Sequence, residues 1–297
     1  MPELPEVEAL ADFLRTRTAG RTVTGVEVGA IAALKTFRPA PDELVGHRVH
    51  DVSRHGKWLD LTLEVGPDGT GLHLVWHLAR AGWVRWSDTL SSTPLRPGRS
   101  PIALRLRLDD GSGFDLTEAG TRKRLAVHVV TDPDQVPQIA TLGVEPLSAA
   151  FTRERFGALL TARNQQLKGL LRDQGTIAGI GNAYSDEILL VARSSPFALT
   201  ATLPAEQADR VYAAVGAVLR EAVATASGRP AAELKDAKRR GMRVHGRTGQ
   251  PCPGWDGTPC GDVVHEVSFA DSSLQYCPTC QTGGRALADR RMSRLLR

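Results

Sequence analysis

Polar and apolar residues alternate along residues 57–65, 102–108 and 114–117, the period of strands with one buried face. Residues 71–78 and 82–86 read as a hairpin pair, with Ala79, Arg80 and Ala81 at its turn. Residues 91–101, rich in Pro, Ser and Arg, form a loop in this reading. Ahead of the strands, Val7, Leu10 and Leu14 recur at helical spacing behind Pro5, a residue suited to the first turn of a helix. So much β pattern between regular turn signals predicts a β-sandwich led by one helix. From Phe151 the period changes: Phe156, Leu159 and Leu160 share a helical face, as do Leu167, Leu170 and Leu171. Residues 175–181 interrupt that helix, and Asn182 opens another carrying Ile188, Leu189 and Val191. A longer helix follows Pro204 through Ala226.

The pattern predicts an α+β, two-lobed chain. Residues 1–130 form the sandwich domain, and 131–150, with Pro133, Pro137 and Pro146, a linker. Residues 151–235 form a helical domain, and 236–297 a basic loop followed by a cysteine-bearing module.

A chain of 297 residues can bury a core for two domains, and its 41% hydrophobic and 24% charged content is that of a soluble globular protein. Glu3 and Glu6 stand where a secretory signal would carry basic residues. No stretch approaches the roughly 20 apolar residues of a membrane helix. The expectation is a cytoplasmic protein without a membrane partner. Net charge is only +4, but the basic residues cluster. Arg122, Lys123 and Arg124 form one group; Lys235, Lys238, Arg239, Arg240, Arg243 and Arg247 a second; Arg285, Arg290, Arg291, Arg294 and Arg297 a third. A basic tail alone is commonly a solvated end, but three clusters point to a polyanion, nucleic acid above all.

The cysteines are spaced Cys252-x7-Cys260-x16-Cys277-x2-Cys280. The second pair is a knuckle suited to tetrahedral Zn²⁺. The first pair is wider than usual, though Gly254, Gly257 and Pro259 allow a loop that closes it. Disulfides are the rival reading and do not suit a cytosolic chain. One structural Zn²⁺, with no open coordination position, is expected.

At the other end, Met1-Pro2-Glu3-Leu4-Pro5-Glu6 places a secondary amine beside carboxylic acids once Met1 is trimmed. Such an amine can attack a carbonyl-like carbon and form an iminium. The plainer reading is a capped helix with acidic residues at its start. Asn182 likewise reads either as a helix cap or as part of a phosphate site at a helix N-terminus. Lys57, in His55-Gly56-Lys57-Trp58, is by itself an ordinary surface lysine.

Together these stretches resemble the formamidopyrimidine-DNA glycosylase and endonuclease VIII family of DNA-repair enzymes. Pro2-Glu3-Leu4-Pro5-Glu6-Val7-Glu8 is similar to its N-terminus, Lys57 to its strand lysine, and residues 179–187 to its helix-two-turn-helix signature. The four-cysteine finger completes the order. The resemblance implies a bifunctional glycosylase and abasic-site lyase that acts, as a monomer at the nucleoid, on duplex DNA with damaged bases or abasic sites. It implies that Pro2 attacks C1′, that Glu3 exchanges protons at the sugar with Glu6 next in line, and that Lys57 holds a phosphate. It also places Arg80, Lys123 and Leu125 where the family keeps its wedge and opposite-base residues.

Two departures stand out. Relatives with this finger carry an arginine five residues before the third cysteine, where this chain has Ser272, leaving Arg285 or Arg290 as substitutes. Oxidised-purine members also hold a longer base-capping loop than residues 228–246 allow. These departures tilt the expectation towards oxidised pyrimidines or other ring-damaged bases. They also keep open a non-catalytic damage-binding protein. An RNA-binding zinc protein fits poorly, because 5% aromatic content leaves no stacking platform.

Overall fold

The computed structural model describes residues 1–65, 71–96, 98, 100–269 and 272–288. Arg290, Arg291, Arg294 and Arg297 of the third basic cluster lie outside the described residues. The chain divides into two compact units, residues 1–142 with 226–235, and residues 143–225 with 236–297.

The first unit opens with helix α1 (Leu4–Thr18), whose Leu4, Val7, Leu10 and Leu14 are buried on one face. The strands follow in chain order as β1 (Val23–Val28), β2 (Val49–His55), β3 (Trp58–Leu63), β4 (His73–His77), β5 (Gly82–Ser87), β6 (Ile102–Leu108), β7 (Gly113–Glu118) and β8 (Ala126–Val130). They form two antiparallel sheets, ordered β1-β6-β7-β5 and β2-β3-β4-β8. Their inner faces share one core with α1, and Trp76 of one sheet stacks on Phe114 of the other at 5.6 Å. This is the sandwich that the alternation predicts.

The expected hairpin of residues 71–86 does not form. Gly82 N–H bonds the Leu78 carbonyl at 2.8 Å, so the turn is real, but β4 and β5 belong to different sheets. The chain crosses the sandwich there because Trp76 and Val84, on the two sides of the turn, face the same core. Gly82 is required at the crossing: a Cβ would stand 2.2 Å from the Leu78 oxygen.

The outer face of the second sheet is covered as well. Trp58, Val75 and Val130 pack against Val136 and Ile139, which come from a 3₁₀ turn (Pro133–Gln135) and the short helix α2 (Pro137–Ala140). Each of these turns opens on a proline, where the missing N–H has no intrahelical partner to lose. Residues 226–235 pack into the same unit. Trp83 Nε1 donates to the Ala231 carbonyl at 3.0 Å, Ala231 and Leu234 enter the core, and the Lys235 ammonium lies 4.5 Å from the Trp83 ring centre.

The second unit contains α3 (Arg153–Ala162), α4 (Leu167–Arg172), α5 (Asn182–Val191), most of α6 (Ala205–Ala226) and of α7 (Leu234–Gly241), the hairpin β9 (His265–Ser268) and β10 (Ser273–Tyr276), and α8 (Pro278–Thr282). The basic segment expected as loop therefore begins as a helix. Leu234 and Ala237 supply its buried positions at helical spacing; Lys235, Arg239 and Arg240 are exposed, and half-buried Lys238 sets its ammonium 4.6 Å from the Tyr184 ring centre. Among the described residues no helix is long and apolar enough to cross a membrane.

Candidate active site

The start of α1 gathers the sequence's first candidate group. Pro2 is buried, and Glu3 and Glu6 are each only 2% exposed, an unusual depth for two carboxyl groups. Glu6 Oε2 accepts the backbone N–H of Glu3 at 2.9 Å, one half of a capping box. The positive end of the helix favours acidic groups here. Met1 remains 47% exposed, so the residue that masks the Pro2 nitrogen is itself accessible. The capped-helix reading and the chemical reading thus describe the same residues: the cap holds Glu3 rigidly against the chain start.

Lys57 lies in the turn between β2 and β3 and is 8% exposed, so it is no ordinary surface lysine. Gly56 makes the turn with φ +56°. Arg54 fixes the turn to α1, donating to Glu8 Oε2 at 2.6 Å and to the Gly56 carbonyl at 2.8 Å. His77, which sequence reasoning passed over, joins this group. Burial, and then the positive charge of Lys57, lower its pKa to about 4, so it is neutral at physiological pH. Ala79 N–H donates to His77 Nδ1 at 3.2 Å, which puts the imidazole proton on Nε2. The Trp58 ring stands 4.9 Å from His77. No periodicity marks His77, because its role depends on a register across two strands, Trp58 opposite His77.

Arg80 is exposed on the turn after β4, with no partner among the described residues, and the preceding Ala79 takes the left-handed φ of +49°. Lys123 is exposed, and its ammonium bonds the Glu118 carbonyl. Leu125 stands differently: it is 2% exposed and part of the sandwich core, so its side chain is turned inward. The exposed side chains of residues 121–124 are Thr121, Arg122, Lys123 and Arg124.

In the second unit, Asn182 is the first residue of α5, and Gly181 occupies the cap position without a side-chain cap bond. The capping reading of Asn182 is therefore overturned. Its Nδ2 donates instead to the Ser273 carbonyl at 2.7 Å, at the start of β10, and its Oδ1 is buried without a partner among the described residues. The next acids on α5 also serve the cysteine module. Glu187 accepts backbone N–H bonds from Arg243, Val244 and His245 at 2.7, 3.0 and 2.9 Å. Asp186 bridges Lys168 of α4 and His245, at 2.5 and 2.8 Å. The helices α4 and α5 and the finger segment are thus one hydrogen-bonded assembly.

The four cysteines converge. Their sulfurs all lie within 4.8 Å of one another, with Cys260–Cys277 at 3.5 Å and Cys252–Cys280 at 4.0 Å, and none forms a disulfide. Tetrahedral thiolates about 2.3 Å from a zinc ion stand roughly 3.8 Å apart, so the arrangement fits a metal. The wide first spacing closes as expected. Gly254, at φ +80°, lets the Thr258 carbonyl approach where a Cβ would meet it at 1.9 Å, and Gly254 N–H reaches Cys252 Sγ at 3.4 Å. The cluster packs on Leu190 of α5 and on Val244.

Comparison with known proteins gives concordant matches. The family model described as formamidopyrimidine-DNA glycosylase N-terminal domain matches residues 1–127, and that for the formamidopyrimidine-DNA glycosylase H2TH domain matches residues 142–231. An uncharacterized formamidopyrimidine-DNA glycosylase-like protein of Mycobacterium tuberculosis is 53% identical over 161 residues, 54% of this chain and 98% of that protein. The formamidopyrimidine-DNA glycosylase of Chloroflexus aurantiacus is 33% identical over 291 residues, 95% of this chain and 98% of its own length. Among solved structures, the MutM (Fpg) protein of Thermus thermophilus has a TM-score of 0.77 at 32% identity, covering 96% of this chain and 100% of that one. Lactococcus lactis Fpg (MutM), in complex with DNA containing N7-benzyl-Fapy-dG, has a TM-score of 0.80 at 25% identity over 95% of this chain and 100% of that one.

Proposed function

The chain belongs to the formamidopyrimidine-DNA glycosylase family, and from that membership we propose that it is a base-excision DNA-repair glycosylase that also cleaves the strand at abasic sites. The observation that carries this reading is the buried corner of Pro2, Glu3 and Glu6 at the start of α1. Removal of Met1 converts the Pro2 nitrogen into a secondary amine. That amine attacks C1′ of the damaged nucleotide; the base leaves with the electrons of the glycosidic bond and takes up the proton that the amine gives up. Glu3 supplies a proton to the sugar oxygen O4′ as the ring opens, giving an iminium between Pro2 and C1′. The iminium acidifies the 2′ proton; its loss expels the 3′ phosphate by β-elimination. Hydrolysis of the iminium then restores the amine.

Lys57 brings a charge to a phosphate beside the lesion, and neutral His77 adds an N–H donor without like-charge repulsion. Arg80, Lys123 and Arg124 face the duplex as exposed basic side chains. Leu125 supports them from the core and does not serve as a wedge. The start of α5 at Asn182 turns the positive end of the helix dipole towards phosphate. Reductive trapping on a duplex with one abasic site tests the reading directly. Borohydride should fix a protein–DNA adduct, and no adduct from active, trimmed protein would contradict it.

The four cysteines hold, in this proposal, one structural Zn²⁺ that stiffens the finger and takes no part in bond breaking. Freshly purified protein should contain about one equivalent of zinc by elemental analysis, and Cys277→Ser should lose both the metal and most DNA affinity. Less than half an equivalent, or full affinity in the variant, would count against the site.

Ser272 bears on the grip of the finger. It closes the loop between β9 and β10, its carbonyl accepting Phe269 N–H at 2.7 Å. Each phosphate contact contributes roughly 0.9 to the slope of log K against log salt. Ser272→Arg should therefore steepen that slope by about one unit and tighten binding at low salt. If Arg285 already reaches the phosphate, Arg285→Ala should flatten the slope instead. A salt titration of the two variants distinguishes these results, and no change in either would mean that the finger leaves the backbone untouched.

A further inference from the structure

We propose that Glu118 is a positioning residue that locks the two exposed basic turns of the sandwich, residues 79–81 and 119–125, into one rigid edge for the duplex. The inference rests on the duplex-DNA reading above.

Glu118 ends β7 and is 3% exposed. Its Oε1 accepts the backbone N–H groups of both Arg124 and Leu125, at 2.7 and 3.0 Å. Its backbone carbonyl accepts the Lys123 ammonium. One residue thus binds three successive members of the loop that carries the Arg122-Lys123-Arg124 cluster. The same residue reaches the other turn. Glu118 lies opposite Gly82 in the β5–β7 ladder, and Ala119 N–H donates to the Ala81 carbonyl at 3.3 Å, next to Arg80.

A buried carboxylate is costly unless several donors satisfy it, and here the donors are backbone groups of a loop with no ladder of its own. Leu125, anchored in the core, holds the far end of that loop. Between these two anchors the backbone at Arg124 and the ammonium of Lys123 are held in place. That is what a contact with an ordered phosphate backbone needs, since ordering the loop beforehand removes an entropy cost from binding. Removing the carboxylate frees the loop and strands two N–H groups, while Pro2 and Glu3, just ahead of α1, keep their places.

Two measurements on the intact protein test this. The loop holds three trypsin sites, so Glu118→Ala should be cut at residues 122–124 about tenfold faster than wild type, with Glu118→Gln close to wild type because the amide oxygen still accepts. In single-turnover cleavage of an abasic duplex, Glu118→Ala should raise the half-saturating concentration about tenfold and change the maximal rate less than about twofold. Should Glu118→Ala fail to fold, Glu118→Asp, which retracts the acceptor by one methylene, should show the same pattern. Wild-type values for the alanine or aspartate variant in both measurements would overturn the proposal. So would a loss confined to the maximal rate. Wild-type protein that leaves the abasic duplex uncut would sink the proposed activity instead, and the proteolysis rates would still decide whether Glu118 organises the loop.

Discussion

Protein carrying even one extra residue ahead of Pro2 should lose the borohydride adduct with abasic DNA, by on the order of a hundredfold or more. The extension turns the Pro2 nitrogen into an amide, whose lone pair is delocalised into the carbonyl and no longer attacks carbon. No lysine can replace it easily, because an ammonium with an ordinary pKa near 10 is almost wholly protonated at pH 7. Pro2→Gly should trap more weakly than wild type yet more strongly than the extended protein. It keeps a terminal amine but loses the ring that aims it. The extended protein should still bind abasic duplex, since the basic turns and the finger are unaltered, and that binding shows that the loss is chemical. Equal trapping by extended and native protein would assign the adduct to another amine.

Glu3→Gln should lower excision of an intact damaged base by about a hundredfold to ten-thousandfold, the range expected for loss of a positioned acid. Cleavage of a preformed abasic site should fall far less, by about tenfold or under, because a sugar already free of its base equilibrates with an open aldehyde that the amine attacks directly. The substitution is nearly isosteric at a residue 2% exposed, and the Glu3 backbone N–H keeps its bond to Glu6, so melting temperature should change little. Parallel assays on a base-containing and an abasic duplex give the split. Unchanged base excision would move the acid role to Glu6, whose substitution should also loosen the cap it makes with Glu3 N–H.

How much of this was legible beforehand varies with the range of the interactions involved. The apolar spacing of Val7, Leu10 and Leu14 marks α1, and all three are buried. The alternation over residues 102–108 coincides with β6. The glycine break and restart at Asn182 coincide with the turn before α5. The four cysteines meet as their spacing requires. Each of these signals is complete within a few residues of itself, or, for the cysteines, in the chemistry of the side chain.

Other features depended on contacts between distant stretches. An alternating strand states which of its faces is apolar but not which sheet it joins, so β4 and β5 read as a hairpin although they lie in opposite sheets. The family resemblance offers Leu125 to DNA, and only the packed sandwich shows it turned inward. Asn182 had a local cap to satisfy and instead satisfied Ser273, ninety-one residues away.

Local periodicity and residue chemistry therefore determined α1, α5, the alternating strands, the proline beside its acids and the converging thiols, because propensity and spacing act over one or two turns of chain. The tertiary structure decided the pairing of strands, the neutral His77 beside Lys57, the hold of Glu118 on its loop and the return of residues 226–235 to the first unit. Those outcomes are set by which buried polar groups find partners and which apolar faces meet. Both are properties of the packed chain that no short window of sequence contains.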